Sequence, residues 1–308
     1  MTFVRGRDYH ELMNSRRRPL KTLICLLAIQ TIVLGCGLAA AGQAGPTGAS
    51  SPGGPVFEVY AIRYATAPGY AVSSLVAGAD PGRKIDIPFM IWALKGGNGR
   101  NVLVDAGSYK GPVFKSWHLQ DFVNPSAAIG KIGLTPKDVT DVIITHIHWD
   151  HVGGVDLFPA ARVWIQRDEF AHYIDGEGRP RDEAIAPDDA AELAALGREG
   201  RLTLVDGDAK EIIPGVTVYT GGKHTFASQY VVVRTAQGNV VLASDNIYLY
   251  ENLDKRLPLG QTLDQAADLR VQERMLRLAS SPRLIVPGHD PEVFKRFPEP
   301  GNGVARIK

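Results

Sequence analysis

A chain of 308 residues that is 44% hydrophobic and 22% charged can bury a full core, and its composition is neither disordered nor fibrous. Its formal charge of +1 owes its sign to the first 41 residues, where Arg5, Arg7, Arg16, Arg17, Arg18 and Lys21 stand against only Asp8 and Glu11; beyond Ala41 the balance turns to −3. A domain so charged offers no basic face to a phosphate backbone, which excludes nucleic acid as a partner.

Residues 1–41 have the order of an export signal: a basic region, an apolar stretch from Thr22 to about Leu38, then the small run Ala39-Ala40-Ala41. The expectation is export to the periplasm or secretion. Ser15-Arg16-Arg17-Arg18-Pro19-Leu20-Lys21 resembles the twin-arginine motif, with proline where an aromatic is usual. That route carries folded proteins, so a metal site would be loaded before export. Two membrane-attached readings stay open. The apolar run approaches the roughly 20 residues that span a bilayer, which allows an uncleaved helix. Val33-Leu34-Gly35-Cys36 also resembles a lipoprotein cleavage box, which would anchor the chain through Cys36. Both cysteines, Cys25 and Cys36, lie in this segment, so the domain beyond must build any metal site from histidine and carboxylate.

Residues 42–55 are mostly Gly, Ala, Ser and Pro and read as a flexible linker, which puts the catalytic domain at 56–308. Apolar alternation and β-branched runs predict strands at Phe57–Arg63, Ile87–Leu94, Val102–Val104, Val142–Thr145, Val163–Ile165, Val216–Tyr219, Tyr230–Val233, Val240–Ala243 and Leu284–Val286. Helical spacing is clearest at Asp188–Gly197 and Asp264–Ala279, the second with Leu269 and Leu276 on a core face. Strands outnumber helices and do not alternate strictly with them. The predicted class is therefore α/β of the α+β kind, two packed sheets with helices outside. Gly153-Gly154 and Gly221-Gly222 are isolated pairs, and neither has the spacing of a phosphate-cradling loop.

The dense chemical feature is Thr145-His146-Ile147-His148-Trp149-Asp150-His151-Val152-Gly153-Gly154, directly after the apolar strand Val142-Ile143-Ile144. Extended backbone through 146–148 would point both imidazoles one way. Asp150 and His151 would then swing round as the chain turns into a helix, with the glycines leaving room for the turn. Four such donors within six residues suit two ions side by side, and imidazole with carboxylate suits zinc, iron or manganese. His224, Asp245 and His289 each follow a predicted strand and supply further ligands where loops gather at a sheet edge.

This pattern, His-x-His-x-Asp-His followed by a distant His, Asp and His, resembles the metallo-β-lactamase superfamily over essentially all of 56–308. The resemblance implies an αββα sandwich holding two divalent ions, zinc in the first place. His146, His148 and His224 would bind one, Asp150, His151 and His289 the other, and Asp245 would bridge them. Asp105, in Leu103-Val104-Asp105-Ala106-Gly107, matches a position from which a carboxylate orients ligands; an ordinary strand-end turn accounts for it equally.

Tyr248, three residues after Asp245, is similar to the acyl-homoserine-lactone lactonases, as is Gly288-His289-Asp290. After Thr225 those enzymes often carry Pro-Gly-His where this chain has Phe226-Ala227-Ser228, so the likeness there is partial. The lactonase resemblance implies a small-molecule substrate, a lactone with an apolar chain. Tyr248 and Asp150 take the catalytic roles, Tyr248 as a donor to the oxyanion and Asp150 as the group returning a proton to the leaving oxygen. Packing stands beside catalysis for Tyr248, because Tyr250 shows the segment to be aromatic-rich. Phe114, Trp117, Phe122 and Trp149 are candidates for the apolar wall. Phe122 is assigned to the core, while Trp117 and Trp149 stay open between the two. His10, His118 and His172 fall outside every metal pattern and read as ordinary histidines.

The alternatives are a glyoxalase II-like thioesterase, which would want a basic pocket, and a β-lactamase-like hydrolase, against which Asp245 counts. A non-catalytic metal-binding protein stands further off, and a flavodiiron oxidoreductase would need a flavin domain. Nothing in the sequence sets the oligomeric state.

Overall fold

Twelve strands form two sheets in a computed structural model that describes residues 54–297 and 303–308. The expected export signal, Cys36 and all but the last residues of the expected linker lie outside the described residues. No described helix is long and apolar enough to cross a membrane.

The strands are β1 (Phe57–Ala71), β2 (Lys84–Gly96), β3 (Asn101–Val104), β4 (Asp141–Ile143), β5 (Arg162–Gln166), β6 (Leu202–Val205), β7 (Lys210–Ile213), β8 (Val216–Thr220), β9 (Gln229–Thr235), β10 (Gly238–Ser244), β11 (Ile285–Pro287) and β12 (Val304–Arg306). The larger sheet runs β12-β1-β2-β3-β4-β5-β6 and the smaller β11-β10-β9-β8-β7. Pairing is antiparallel from β12 to β3 and parallel from β3 to β6. In the smaller sheet only β10 and β11 are parallel.

Period-two alternation decides the layering, because successive side chains leave opposite faces of a strand. Met90, Trp92 and Leu94 of β2 and Val102 and Val104 of β3 meet Val216, Val218, Val231, Val233, Val240 and Leu242 between the sheets. Their neighbours Ile91, Ala93 and Leu103 face the other way. There they pack with Leu193 and Leu196 of the helix Pro187–Arg198. On the outside of the smaller sheet, Tyr230, Val232, Val241 and Ala243 meet Met275 of the helix Gln265–Leu278. The order is helix, sheet, sheet, helix, as expected.

The differences from expectation have physical causes. β1 runs eight residues past Arg63 because bulges at Arg63/Ala65 and Ala67/Tyr70 break its alternation without ending its pairing. The short strands β6, β7 and β12 lie at sheet edges and gave no clear alternation. In Gln265–Leu278 the buried positions are Asp268, Gln272 and Met275, with Leu269 and Leu276 only half-buried. Phe122, assigned to the core, is 40% exposed and packs edge-on against Phe114 at 5.0 Å.

Val104, Ile143 and Trp164 are aligned across the parallel strands β3, β4 and β5, so the segments leaving their carboxyl ends emerge side by side. The main-chain N–H of Gln229 donates to the Thr145 carbonyl at 2.8 Å and pins the smaller sheet to that same edge. The edge is crowded. A Cβ on Gly154 would lie 2.4 Å from the Ala106 carbonyl oxygen, so this glycine supplies close approach. It does not supply unusual torsions, since its φ is −110°. Gly154→Ala is expected to cost about 1–3 kcal/mol by overpacking. Urea unfolding of the two proteins checks this, and an unchanged midpoint would show that the loops are free to separate.

Candidate metal centre

Seven donors from four segments converge at the sheet edge. His146 and His148 follow β4, and His148 is the N-terminal flank of a one-turn helix, α1 (Trp149–Val152), that carries Asp150 and His151. His224 lies between β8 and β9, Asp245 follows β10 and His289 follows β11. The ligand atoms of His146, His148, His224 and Asp245 lie within 4.8 Å of one another, as do those of Asp150, His151 and His289. All seven residues expected to bind metal are thus brought together in the two groups that the sequence pattern implied.

His148 Nδ1 stands 3.1 Å from His146 Nε2 and 3.0 Å from His224 Nε2. Asp245 faces both groups. Its Oδ2 is 3.7 Å from His146 Nε2 and 3.5 Å from His224 Nε2, and its Oδ1 is 3.4 Å from His151 Nε2 and 3.1 Å from His289 Nε2. Asp150 Oδ2 lies 3.1 Å from His151 Nε2 and 3.7 Å from His289 Nε2. Room for Asp245 depends on Gly288, where a Cβ would come within 2.7 Å of Oδ1.

The outward nitrogens of three of these rings are tied to groups that only accept. His151 Nδ1 meets Asp105 Oδ2 at 2.8 Å, His224 Nδ1 the Gln261 carbonyl at 3.1 Å, and His289 Nδ1 the Pro88 carbonyl at 3.0 Å. Each ring therefore keeps its proton outside and turns Nε2 inward. His151 Nε2 and Asp245 Oδ1 are buried without a hydrogen-bond partner. Ring nitrogens converging at 3.0–3.1 Å, with carboxylate oxygens between the groups, make donor sets of the kind that divalent cations take.

The electrostatics of the two groups differ. Burial, reinforced by neighbouring imidazoles, holds His146 well below the ordinary range and brings His148 to about 3; burial lowers His224 as well. These three rings are neutral donors at pH 7. Burial pulls His151 and His289 the same way, but Asp150, Asp105 and Asp245 beside His151, and Asp245 and Asp150 beside His289, outweigh it and raise both. A cation entering there displaces protons.

Asp105, expected either to orient ligands or merely to turn the chain, does both. It is fully buried at φ 63°, accepts from the Thr145 N–H at 2.8 Å and hydroxyl at 2.9 Å, and holds His151. Tyr248 is buried with its hydroxyl 3.3 Å from His224 Nδ1 and its ring between His224 and His289, at 5.5 and 5.7 Å. Since His224 Nδ1 gives its proton towards Gln261, the phenol oxygen is an acceptor there and keeps its own hydrogen to donate. Burial and the charge of Asp245 raise Tyr248 well above the usual phenol range, which keeps that hydrogen in place. Phe89 packs on His289 at 5.2 Å and joins it to Trp117 and Trp149, both 5.4 Å away, while Tyr70 stacks on Trp117 at 5.3 Å. Trp149 is buried and Trp117 half-buried in this block. His118 and His172 stand apart from the centre, His172 stacked on Phe226 at 4.0 Å.

Sequence reasoning missed Tyr70, Phe89, Gln261 and Glu169. Glu169, which burial pushes up to about 7, lies on the helix α2 (Arg167–Tyr173) on the same face as the buried Tyr173, four residues on. Its helical spacing of four from the aromatic Tyr173 was the one signal available. Where the lactonase pattern has Pro-Gly-His, the Phe226 N–H donates to the Tyr173 hydroxyl at 3.2 Å, a bond proline could not make. Ser228 Oγ donates to Asn246 Oδ1 at 3.0 Å.

The profile of the Metallo-beta-lactamase superfamily matches residues 89–289, and this chain belongs to that family. It is 26% identical over 246 residues to the N-acyl homoserine lactonase AiiA of Bacillus thuringiensis subsp. kurstaki, covering 74% of this chain and 92% of that one. The structure of an N-acyl homoserine lactone hydrolase with the product N-hexanoyl-L-homoserine at its catalytic metal centre matches at a TM-score of 0.64 and 23% identity, over 79% of this chain and 98% of that one. AidC, a dizinc quorum-quenching lactonase, matches at 0.57 and 13%, over 82% and 93%.

Asp105→Ala is expected to weaken metal retention roughly 10–100-fold, because an unsupported His151 loses both orientation and basicity. Metal content after dialysis against graded chelator measures this; retention equal to the parent protein would reduce Asp105 to a turn residue.

Proposed function

We propose that this metal-dependent hydrolase opens lactone rings, N-acyl homoserine lactones foremost, with two zinc ions in the paired donor groups. The observation that carries the reading is Tyr248: a protonated phenol lodged between one histidine of each group, with a hydrogen free to donate. Its sequence relatives and structural neighbours named as lactonases support the same choice, and the dizinc description of AidC supports zinc.

His146, His148 and His224 would hold one ion and Asp150, His151 and His289 the other, with Asp245 shared. When bound, the pair supplies hydroxide near neutral pH and polarises the ester carbonyl. The chain's own groups do the rest. Tyr248 Oη donates to the oxygen on which negative charge develops, the kind of contact that strengthens as the ester carbon becomes tetrahedral. Asp150, which despite its burial is held ionised by His151 and His289, would accept the proton that the attacking oxygen gives up as it bonds to the ester carbon and return it to the ring oxygen as the C–O bond breaks. The half-buried Tyr70 and Trp117, stacked on one another and backed by the buried Phe89 and Trp149, would offer an acyl chain an apolar wall. Lys223, beside His224, has its ammonium engaged by the Phe226 carbonyl and ring, which leaves it poorly placed to bind the carboxylates of a glutathione thioester. On the sequence of residues 1–41 alone, the enzyme acts outside the cytoplasm, released by cleavage near Ala41 or held at the membrane.

The test is proton release from a medium-chain N-acyl homoserine lactone by the zinc-loaded protein. Tyr248→Phe should keep both ions and lose roughly 10²–10³-fold in kcat, about 2.7–4 kcal/mol, if the phenol is a single oxyanion donor. Full activity in Tyr248→Phe would return this residue to packing. Absence of hydrolysis by a protein shown to hold two ions would sink the lactone assignment and point to thioesters.

A further inference from the structure

Glu169 takes no part in the chemistry above, yet it is fully buried under the metal loops. Burial of a carboxylate is costly unless its oxygens are hydrogen-bonded. Here they are, and the donors are telling. Oε1 accepts from the Ile147 N–H at 3.1 Å and from the Thr225 hydroxyl at 2.6 Å; Oε2 accepts from the Ala227 N–H at 2.6 Å. Ile147 is the residue between His146 and His148, and Thr225 follows His224. One carboxylate thus ties together two loops that are 78 residues apart in sequence at His146 and His224. A carboxylate suits this place because it offers two oxygens and no hydrogen, so N–H and O–H groups from both loops can converge on it. One turn further along α2, the Tyr173 hydroxyl takes the Phe226 N–H, so the same helix face grips the His224 loop at a second point.

The other group of donors has different supports. His151 rests on Asp105, His289 on the Pro88 carbonyl, and Asp150 on the turn of α1. None of these contacts passes through Glu169.

We infer that Glu169 is the positioning residue of the three-histidine pocket, setting the affinity of His146, His148 and His224 for their ion while leaving the Asp150, His151 and His289 pocket unaffected. The inference rests on the ligand reading proposed above. Glu169 acts through the loops and does not itself touch an ion.

The full-length protein, stripped of metal, is titrated with zinc against a chromophoric chelator, and with cobalt while the visible absorbance is recorded. Two ions per chain are expected for the parent. Glu169→Ala should bind one of them roughly 10–100-fold more weakly, the other holding its affinity and its cobalt spectrum. Thr225→Val, which removes one donor at nearly constant volume, should weaken the same step by less, and it keeps the test open if Glu169→Ala does not fold. In a His148→Ala background, where only the second pocket remains intact, Thr225→Val should change nothing. Equal weakening of both ions, or of neither, overturns the inference. A parent protein that fails to take two ions overturns the ligand reading itself, and the Glu169 role with it.

Discussion

Five imidazoles and two carboxylates packed within a few ångströms of one another, all of them buried except the half-buried His148, are the constraint on which the rest of this molecule turns. Burying so many ionisable groups is costly unless each is paired or hydrogen-bonded. The fold meets that cost from outside the cluster. A buried carboxylate, two main-chain carbonyls and a second buried carboxylate beneath the loops hold the rings or their loops in place, each contact made by a group that can only accept or only donate. What is left facing inward is a set of ring nitrogens and carboxylate oxygens that cations can take, displacing protons from His151 and His289.

Such a cluster needs loops from distant parts of the chain delivered to one edge. Parallel pairing delivers them, because β3, β4 and β5 all end on the same side, and β10 and β11 do likewise in the other sheet. The close approach then falls to small residues: Gly154 against Ala106, and Gly288 against Asp245. The chain is bent hard at these exits. Asp105, Lys223 and Ser244 all adopt positive φ, at 63°, 67° and 47°, each within one residue of a donor or itself holding one. Strain of this kind costs about 1–3 kcal/mol per residue and persists where surrounding bonds over-determine the geometry.

The metal donors were legible in the sequence because four lie within six residues and the other three each follow a strand, so local density and strand-end position signalled them together. The layering was legible because β2, β3, β9 and β10 are continuous apolar runs, as strands covered on both faces must be. Glu169 was not, because Arg167-Asp168-Glu169 reads as a solvated charge run until α2 is placed and its third residue is seen to point inward. Phe122 was misplaced because apolar character alone does not distinguish core from rim. Leu276 packs on the core as expected, but Leu269 does not join it, and the helix instead buries Asp268 and Gln272, whose hydrogen bond to one another and from Gln272 to the Leu257 carbonyl makes a polar pair tolerable there. Edge strands such as β7, Lys210–Ile213, bury too little to impose a pattern.

The most direct test is the position of the ions themselves. Anomalous diffraction at the zinc edge from crystals of the metal-loaded protein should show two peaks about 3.5–4 Å apart, with one oxygen of Asp245 directed at each. A single peak, or two peaks with Asp245 turned away from either, would contradict the account.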